Sequence, residues 1–169
     1  MAVQRAGMRI VKDGLPDLVK AIKRLTSREV LVGISQATDA REAAPGEKGE
    51  PLGNSQIAFI QEFGSPAANI PARPFLVPGI ESAKEKISSK LKAVGKAALS
   101  GKIDQIEPGF ENVGLIAQMA VQKKIVDGPF EPLKPGTLAA RRRRGVIRTH
   151  PLIDTGVLRQ AITYAVRDK

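Results

Sequence analysis

The tripeptide Asp154-Thr155-Gly156, which follows a short apolar stretch, matches the signature around the catalytic aspartate of aspartic proteases. In those enzymes two aspartates, one from each half of the fold, share a proton. Only 13 residues follow Gly156 in this chain, too few for the sheet that such a protease builds after its aspartate. The tripeptide is therefore more typical of a turn or helix start, with Asp154 or Thr155 as the cap and the following apolar residues packing inward.

Other catalytic arrangements find little support in the sequence. The one histidine, His150, lies between Thr149 and Pro151, and no serine or cysteine partner is spaced to make it a general base. The chain has no cysteine, which excludes disulfides, thiolate metal ligands and cysteine nucleophiles. Neither a glycine-rich phosphate loop nor a carboxylate pair at helical spacing on an apolar face occurs. We expect a protein that is not an enzyme and binds no metal or other cofactor.

An unbroken run of four arginines, Arg141, Arg142, Arg143 and Arg144, is followed closely by Arg148. On a helix, consecutive residues point about 100° apart, so the four cannot share one face, whereas a loop could wrap them around a phosphate backbone. The five residues are candidates for a docking or DNA-facing surface. The alternative is a solvated basic turn, and the residue types alone do not decide between the two.

The net charge of +10, from 27 Lys and Arg against 17 Asp and Glu, indicates an acidic partner. Residues 121–169 carry eleven of those basic residues and only four acidic ones, so most of the surplus is local. Aromatic residues make up 4% of the chain, which leaves little material for stacking on single-stranded bases. No apolar run is long enough for a membrane span or a signal peptide, so we expect a soluble protein made in the cytoplasm.

Length and hydrophobic periodicity together predict a single domain over residues 1–169 of the α+β class. Its small, mainly antiparallel sheet should have two or more flanking helices, including a long one near 78–100. The predicted elements are helices over about 16–26, 54–63, 78–100 and 110–127, the last beginning after a break at Pro108-Gly109, and strands over 8–12, 30–34 and 162–166.

Two segments lack apolar periodicity. Residues 36–53 combine prolines and glycines with charges and predict a mobile loop, which we expect to order on assembly. Residues 129–150 are proline-punctuated and predict an irregular basic segment with one or two helical turns near 138–145. In the helix over 54–63, by contrast, apolar residues surround most of the circumference, so we expect it to be capped by Asn54 and buried on more than one side.

A proline-stiffened arm follows that helix. Prolines hold the chain extended with little entropy left to lose, which suits an anchoring segment. The arm could anchor against a neighbouring subunit, or it could be a rigid connector within one subunit with Arg73 as a local hydrogen-bond hub. The candidate residues are Ile70, Pro71, Arg73, Pro74, Phe75 and Leu76.

Four blocks of sequence occur in a characteristic order: NSQIAFIQEFGSP at 54–66, IPARPFLVPGI at 70–80, PLKPGTL at 132–138 and PLIDTGVLRQAITY at 151–164. Together they resemble the neck and tail-completion proteins of long-tailed bacteriophages, over about residues 29–167. The motif most like that family comprises Asp154, Thr155, Gly156, Leu158 and Arg159. The loop over 36–53 and the arginine run fall outside the pattern.

The resemblance implies a virion structural protein at the head–tail junction and not an enzyme. Several copies would form a ring that ends tail-tube growth and joins the tail to the head connector, with genome DNA passing through the lumen. The implied partners are other copies of this chain and the tail-tube, tail-terminator and head-connector proteins. A small sheet with flanking helices is also what the family implies.

Two alternatives to the tail-completion interpretation remain at this stage. One is a head-completion protein on the connector side of the same joint. The other is a basic nucleic-acid-binding protein, which the net charge and the arginine run would favour. Within a ring we expect the arginines to face outward toward an acidic neighbour, because a channel that must release DNA is poorly served by strong phosphate contacts.

Overall fold

The computed structural model describes residues 14–43 and 49–169, which form eight α-helices and two β-strands. In chain order these are α1 (Leu15–Ser27), β1 (Arg28–Ile34), α2 (Gln36–Asp39), α3 (Asn54–Phe63), α4 (Leu76–Ser82), α5 (Lys84–Leu99), α6 (Ile106–Asp127), α7 (Pro135–Arg143), α8 (Val157–Ala161) and β2 (Ile162–Asp168). Short 3₁₀ turns occupy Pro66–Ala68 and Ile103–Gln105. The α+β prediction is confirmed. The strand predicted over 8–12 lies outside the described residues.

The sheet consists of β1 and β2 paired antiparallel, so elements from distant parts of the sequence meet at its centre. Val30 pairs with Val166 and Val32 with Tyr164, and α6 packs against both strands. Because side chains alternate across a strand, the neighbouring residue Leu31 points to the opposite, solvent-exposed face. One face of the sheet is therefore covered by helix and the other is open.

Helix α6 joins two separate core clusters. The first contains Ala21 of α1 and Phe110 near the start of α6, while the second contains Val121 and Ile125 near its end. The strand β1 likewise contributes to both, with Val30 beside the first cluster. The remaining buried members are Val94, Ala98 and Ile106 in the first cluster and Phe75, Leu152 and Ile162 in the second.

Glycines allow α6 to approach its neighbours closely. A Cβ at Gly114 would overlap the ring of Tyr164 on β2, and one at Gly79 of α4 would lie 2.8 Å from the Cα of Val121. These contacts leave no room for a side chain, since real Cβ atoms do not approach other heavy atoms so closely. Glycine at these two positions therefore allows the short distances from α6 to β2 and from α6 to α4.

The predicted long helix over 78–100 is interrupted at Ala83. The chain forms α4 and α5 instead, and both pack against α6. The longest helix is α6, with 22 residues. It begins before Pro108-Gly109, so the predicted break there is wrong, because a proline in the first helical turn removes no intrahelical hydrogen bond.

Helical turns also occur in both segments predicted to be irregular. The helix α2 opens the segment 36–53, whose residues 44–48 lie outside the described residues, so the mobility of that loop stays a prediction. Within 129–150, α7 has 9 residues and is longer than the one or two turns expected.

Substitution of Gly114 by alanine tests the close approach of α6 to β2. We expect Gly114→Ala to lower the free energy of unfolding by about 1–3 kcal/mol, because the new methyl group displaces Tyr164. The control is Gly95→Ala on α5, where nothing lies within 4 Å, and which should raise stability by about 0.5–1 kcal/mol. Urea unfolding measures both, and a Gly114→Ala protein as stable as the Gly95→Ala control would contradict the packing described.

Candidate docking surfaces

Arg141, the first of the four arginines, lies inside the protein with 5% of its surface exposed. Its Nη1 donates to the carbonyl oxygens of Arg148, His150 and Ile153, at 3.1, 2.7 and 3.1 Å, and its Nη2 donates to that of Pro151 at 3.0 Å. The loop that follows α7 therefore wraps around this guanidinium and is held by its hydrogen bonds. The prediction that Arg141 belongs to a docking or DNA-facing surface is wrong, because no part of its charge is presented to a partner.

Asp154 is the counterion of this arginine group. Its Oδ2 lies 2.8 Å from Nη2 of Arg144, and its Oδ1 lies 3.6 Å from Nε of Arg141. Arg148 donates to the backbone oxygen of Asp154 at 3.1 Å. Burial lowers the pKa of Arg141, and the Asp154 carboxylate acts in the opposite direction. An arginine remains protonated through such a shift, so Arg141 keeps its positive charge inside the protein. Asp154 has a structural role in this arrangement.

Of the five predicted basic residues, Arg142 and Arg143 are the two whose guanidinium groups meet no partner among the described residues. Both are exposed at the carboxyl end of α7. The exposed basic surface is therefore narrower than the sequence suggested. Among the five residues, it consists of these two side chains and the exposed Arg148, which is hydrogen-bonded to the backbone of Asp154.

The rest of the family-like motif forms a turn and a helix start, as predicted. Gly156 has φ 93° and is the N-cap of α8, in a backbone conformation that favours glycine. The N-cap residue is thus Gly156 and not the predicted Asp154 or Thr155, although Oγ1 of Thr155 accepts the backbone N–H of Val157, the first residue of α8, at 3.5 Å. Leu158 packs against the second core cluster and Arg159 is exposed. The motif positions the last strand.

The proline-stiffened arm is tied to its own subunit through Arg73, which is 5% exposed. Its Nε donates to the carbonyl oxygen of Glu131 at 3.0 Å and its Nη1 to Oε1 of Gln61 at 3.3 Å. Its backbone N–H also donates to the carbonyl oxygen of Gln61, at 2.6 Å. Arg73 is a local hydrogen-bond hub that joins the end of α3 to the chain beyond α6.

A buried carboxylate, that of Glu62, fixes the end of the arm. Its Oε2 accepts the backbone N–H groups of Phe75 and Leu76 at 2.7 and 2.8 Å, and its Oε1 accepts that of Val77 at 3.2 Å. A negative charge at the amino end of a helix satisfies donors that have no intrahelical partner. Phe75 itself is buried in the second core cluster. The interpretation of the arm as a subunit contact is thus wrong for Arg73 and Phe75, whose side chains have no accessible surface to offer.

The most exposed aromatic side chains lie on α3, which was predicted to be buried on more than one side. Phe59 and Phe63 are 64% and 65% exposed, with ring centroids 4.9 Å apart, and we call them the α3 patch. Ala58 packs against the second core cluster instead. A helix with apolar residues around its whole circumference must expose some of them to solvent when only one side meets the core. The all-round apolar pattern of α3 could therefore have indicated an exposed apolar surface.

The amino end of α3 is held by α2. The Oδ1 of Asp39 accepts the backbone N–H of Ser55 at 2.6 Å, and the Nδ2 of Asn54 donates to the carbonyl oxygen of Thr38 at 2.9 Å. Asn54 is therefore the first residue of the helix and a link to α2, and not the predicted cap. The hydrogen bond from Ser55 lowers the pKa of Asp39 below its usual value.

A second exposed apolar surface lies on α1. Leu18, Val19 and Ile22 recur at helical spacing and are solvent-exposed, while Ala21 on the other side of the helix is buried in the first core cluster. We call these three residues the α1 patch. The sequence predicted the helix from this periodicity but not that so much of its apolar side would remain uncovered.

A groove of about 880 Å³ runs between α3, α7 and the turn before α8, with Ile57, Leu158 and the Arg144–Asp154 pair among its lining residues. No group of three or more metal-ligating side chains occurs in residues 14–43 and 49–169. Among the helices described, none has the length and apolar character needed to cross a membrane.

No protein-family model, curated protein or solved structure matches this chain. The resemblance to phage neck proteins is therefore carried by the four ordered sequence blocks alone.

Substitution of neighbouring arginines separates the buried role from the exposed one. Arg141→Ala should lower the free energy of unfolding by about 3–5 kcal/mol, because it leaves four carbonyl oxygens without their donor and Oδ1 of Asp154 without its ion-pair partner. Arg142→Ala, one residue along and exposed, should change it by less than about 0.5 kcal/mol. Equal effects of the two changes in urea unfolding would rule out the arrangement around Arg141.

The pH dependence of stability tests the link between α2 and α3. A carboxyl group whose pKa is lowered in the folded state stabilises the fold above its unfolded-state pKa, and that contribution disappears as the pH falls through the folded-state value. Asp39→Asn should therefore lower the thermal midpoint at pH 7, and the difference should begin to shrink as the pH falls below about 4 and vanish once the pH is below the lowered folded-state pKa. A difference that persists unchanged at acid pH would show that Asp39 does not act through its charge.

Proposed function

We propose that this chain is a virion structural protein of a long-tailed bacteriophage, a tail-completion or neck protein that assembles into a ring at the head–tail junction. The four ordered sequence blocks support the family. The observation that supports ring assembly is that one small chain has two exposed apolar patches, the α1 patch and the α3 patch. In this proposal the protein acts by docking to neighbouring virion proteins and catalyses no reaction.

The placement of the two patches suits a ring. A contact that repeats head to tail is heterologous, so each subunit needs two different surfaces, one for each neighbour. The α1 patch lies on a helix that packs over the first core cluster, whereas the α3 patch lies on a helix that packs over the second. A contiguous exposed apolar surface on a small protein marks an interaction site, and aromatic side chains dominate the energy of such contacts. Each subunit would hold its neighbour's α3 patch with its own α1 patch.

The exposed arginines would serve the joint above or below the ring. Arg142 and Arg143 extend from the carboxyl end of α7, while Arg141 and Arg144 are occupied by contacts within the subunit. Opposite charges on stacked rings would set their orientation and speed their encounter. The acidic partner is a ring of the tail terminator or of the head connector.

Paired variants of the two patches test the ring contact. Phe59→Ser with Phe63→Ser, and separately Leu18→Ser with Val19→Ser, should each weaken self-association at least tenfold, because apolar area leaves the interface. A mixture of the two double variants should form pairs but no rings, since each variant retains one intact surface. Light scattering after size-exclusion chromatography and negative-stain microscopy measure the outcome.

The control in this experiment is the fold of each variant. Circular dichroism and the thermal midpoint should stay close to those of the unmodified chain, because the changed side chains are exposed. Rings that survive in both double variants would overturn the assignment of these patches to the contact.

A phage strain lacking the chain tests the location. Electron micrographs should show filled heads and separate tails, with tails of irregular length where the ring fails to end tube growth. Joined particles of normal length would contradict a role in tail completion. Heads that lose their DNA beside normal, uniform tails would place the protein on the connector side of the joint.

A further inference from the structure

Helix α5 carries a high density of positive charge. Its 16 residues include five lysines and a single acidic residue, Glu85. The lysines are Lys84, Lys86, Lys90, Lys92 and Lys96. Every one is solvent-exposed, and none forms an ion pair with a carboxylate of residues 14–43 or 49–169. Three of them, Lys84, Lys92 and Lys96, lie on one side of the helix, which we call the α5 lysine face.

The helix geometry places these three charges on its outward side. Lys92 and Lys96 point away from Val94 and Ala98, which are buried in the first core cluster, whereas Lys86 and Lys90 follow another side, because Lys90 lies four residues before the buried Val94. From Lys84 to Lys96 the helix rises by about 18 Å. Duplex DNA carries about one negative charge per 1.7 Å of its axis, so the face can meet several phosphates at once.

We propose that the α5 lysine face binds the phosphate backbone of duplex DNA without regard to sequence. A lysine ammonium is a compact point charge on a flexible stem, able to follow phosphates that have no fixed register, whereas arginine suits planar and bidentate partners. Helix α5 carries lysines and no arginine, whereas α7 carries arginines and no lysine. Contacts of this kind are weak and strongly dependent on salt, which allows the DNA to slide past.

Features of α5 argue against other acidic partners. An amphipathic helix that binds lipid inserts its apolar face, but that face of α5 is already packed in the core. Protein interfaces are anchored chiefly by aromatic side chains and arginine, yet beside its three lysines this side of α5 carries Glu85, Ser88, Ser89 and Ala93. A phosphate backbone requires neither.

DNA binding by this face does not depend on ring assembly. The location of this face in the lumen, through which genome DNA would pass, rests on the proposed function. The two statements can therefore fail separately, and the experiment measures DNA binding and self-association on the same proteins.

The experiment compares two double variants that remove the same charge from different places. The first is Lys92→Gln with Lys96→Gln, and the control is Arg142→Gln with Arg143→Gln. Fluorescence anisotropy with a labelled 30-base-pair duplex of mixed sequence, from about 25 to 200 mM salt, gives the affinity and its salt slope. Loss of two phosphate contacts should reduce the slope by about 1.8 and the affinity at 50 mM salt by about tenfold or more.

The expected result is a large loss in the lysine variant and a much smaller one in the arginine variant. Equal losses in both would show that only net charge matters and would overturn the proposal, as would unchanged affinity in the lysine variant. Binding to vesicles containing phosphatidylserine that disappears in the lysine variant, with no DNA binding by the unmodified chain, would assign the face to a membrane instead. Thermal midpoints should be unchanged, since the four side chains are exposed. Rings that persist in the lysine variant would separate this surface from assembly.

Discussion

Helix α6 can lie directly against the sheet and against α5 because two of its contact positions carry no side chain. Gly114 faces the ring of Tyr164 and Gly109 faces Val94, while the facing position on α4 is Gly79. Interiors are packed to crystal-like density, so a methyl group added at such a contact must displace the side chain or backbone that faces it. Helices α4, α5 and α8 and both strands pack on α6, whereas α1 packs on α5 and β1, and α3 on α2 and α8. The outer surfaces of α1, α3 and α5 are what remains exposed once those contacts are made.

Two buried charges complete the placement of the irregular segments. Glu62 collects three backbone N–H groups at the start of α4, and Arg141 collects four carbonyl oxygens after α7. In each case one ionised side chain satisfies backbone groups that no regular element pairs, which is the condition for burying them. These charges stabilise the fold and are withdrawn from any partner. The charges left for recognition are exposed ones, on α7 and on α5.

Periodicity predicted the helices α1 and α3 and the strands β1 and β2, because a helix or strand that meets a core must repeat its apolar residues at the period of its own geometry. Exposure was harder to predict. Phe59 and Phe63 look like core residues in a sequence, and Arg141 looks like a surface residue, because burial depends on which other elements arrive from far along the chain. The interruption at Ala83 was not predicted either, and it separates two helices that both pack on α6. Nothing in the local sequence encodes these long-range contacts.

The pairing of β1 with β2 has a consequence for how the protein is made. Glu29 and Arg167, joined across the sheet by an ion pair, are separated by 138 residues in sequence. A ribosome adds about 5–20 residues per second, so β1 waits on the order of ten seconds for its partner strand. During that interval its backbone is unpaired and its apolar side chains have no cover, a state open to mispairing with other chains. The sheet is complete only after β2 has emerged, which in the proposed ring would keep incomplete chains from assembling.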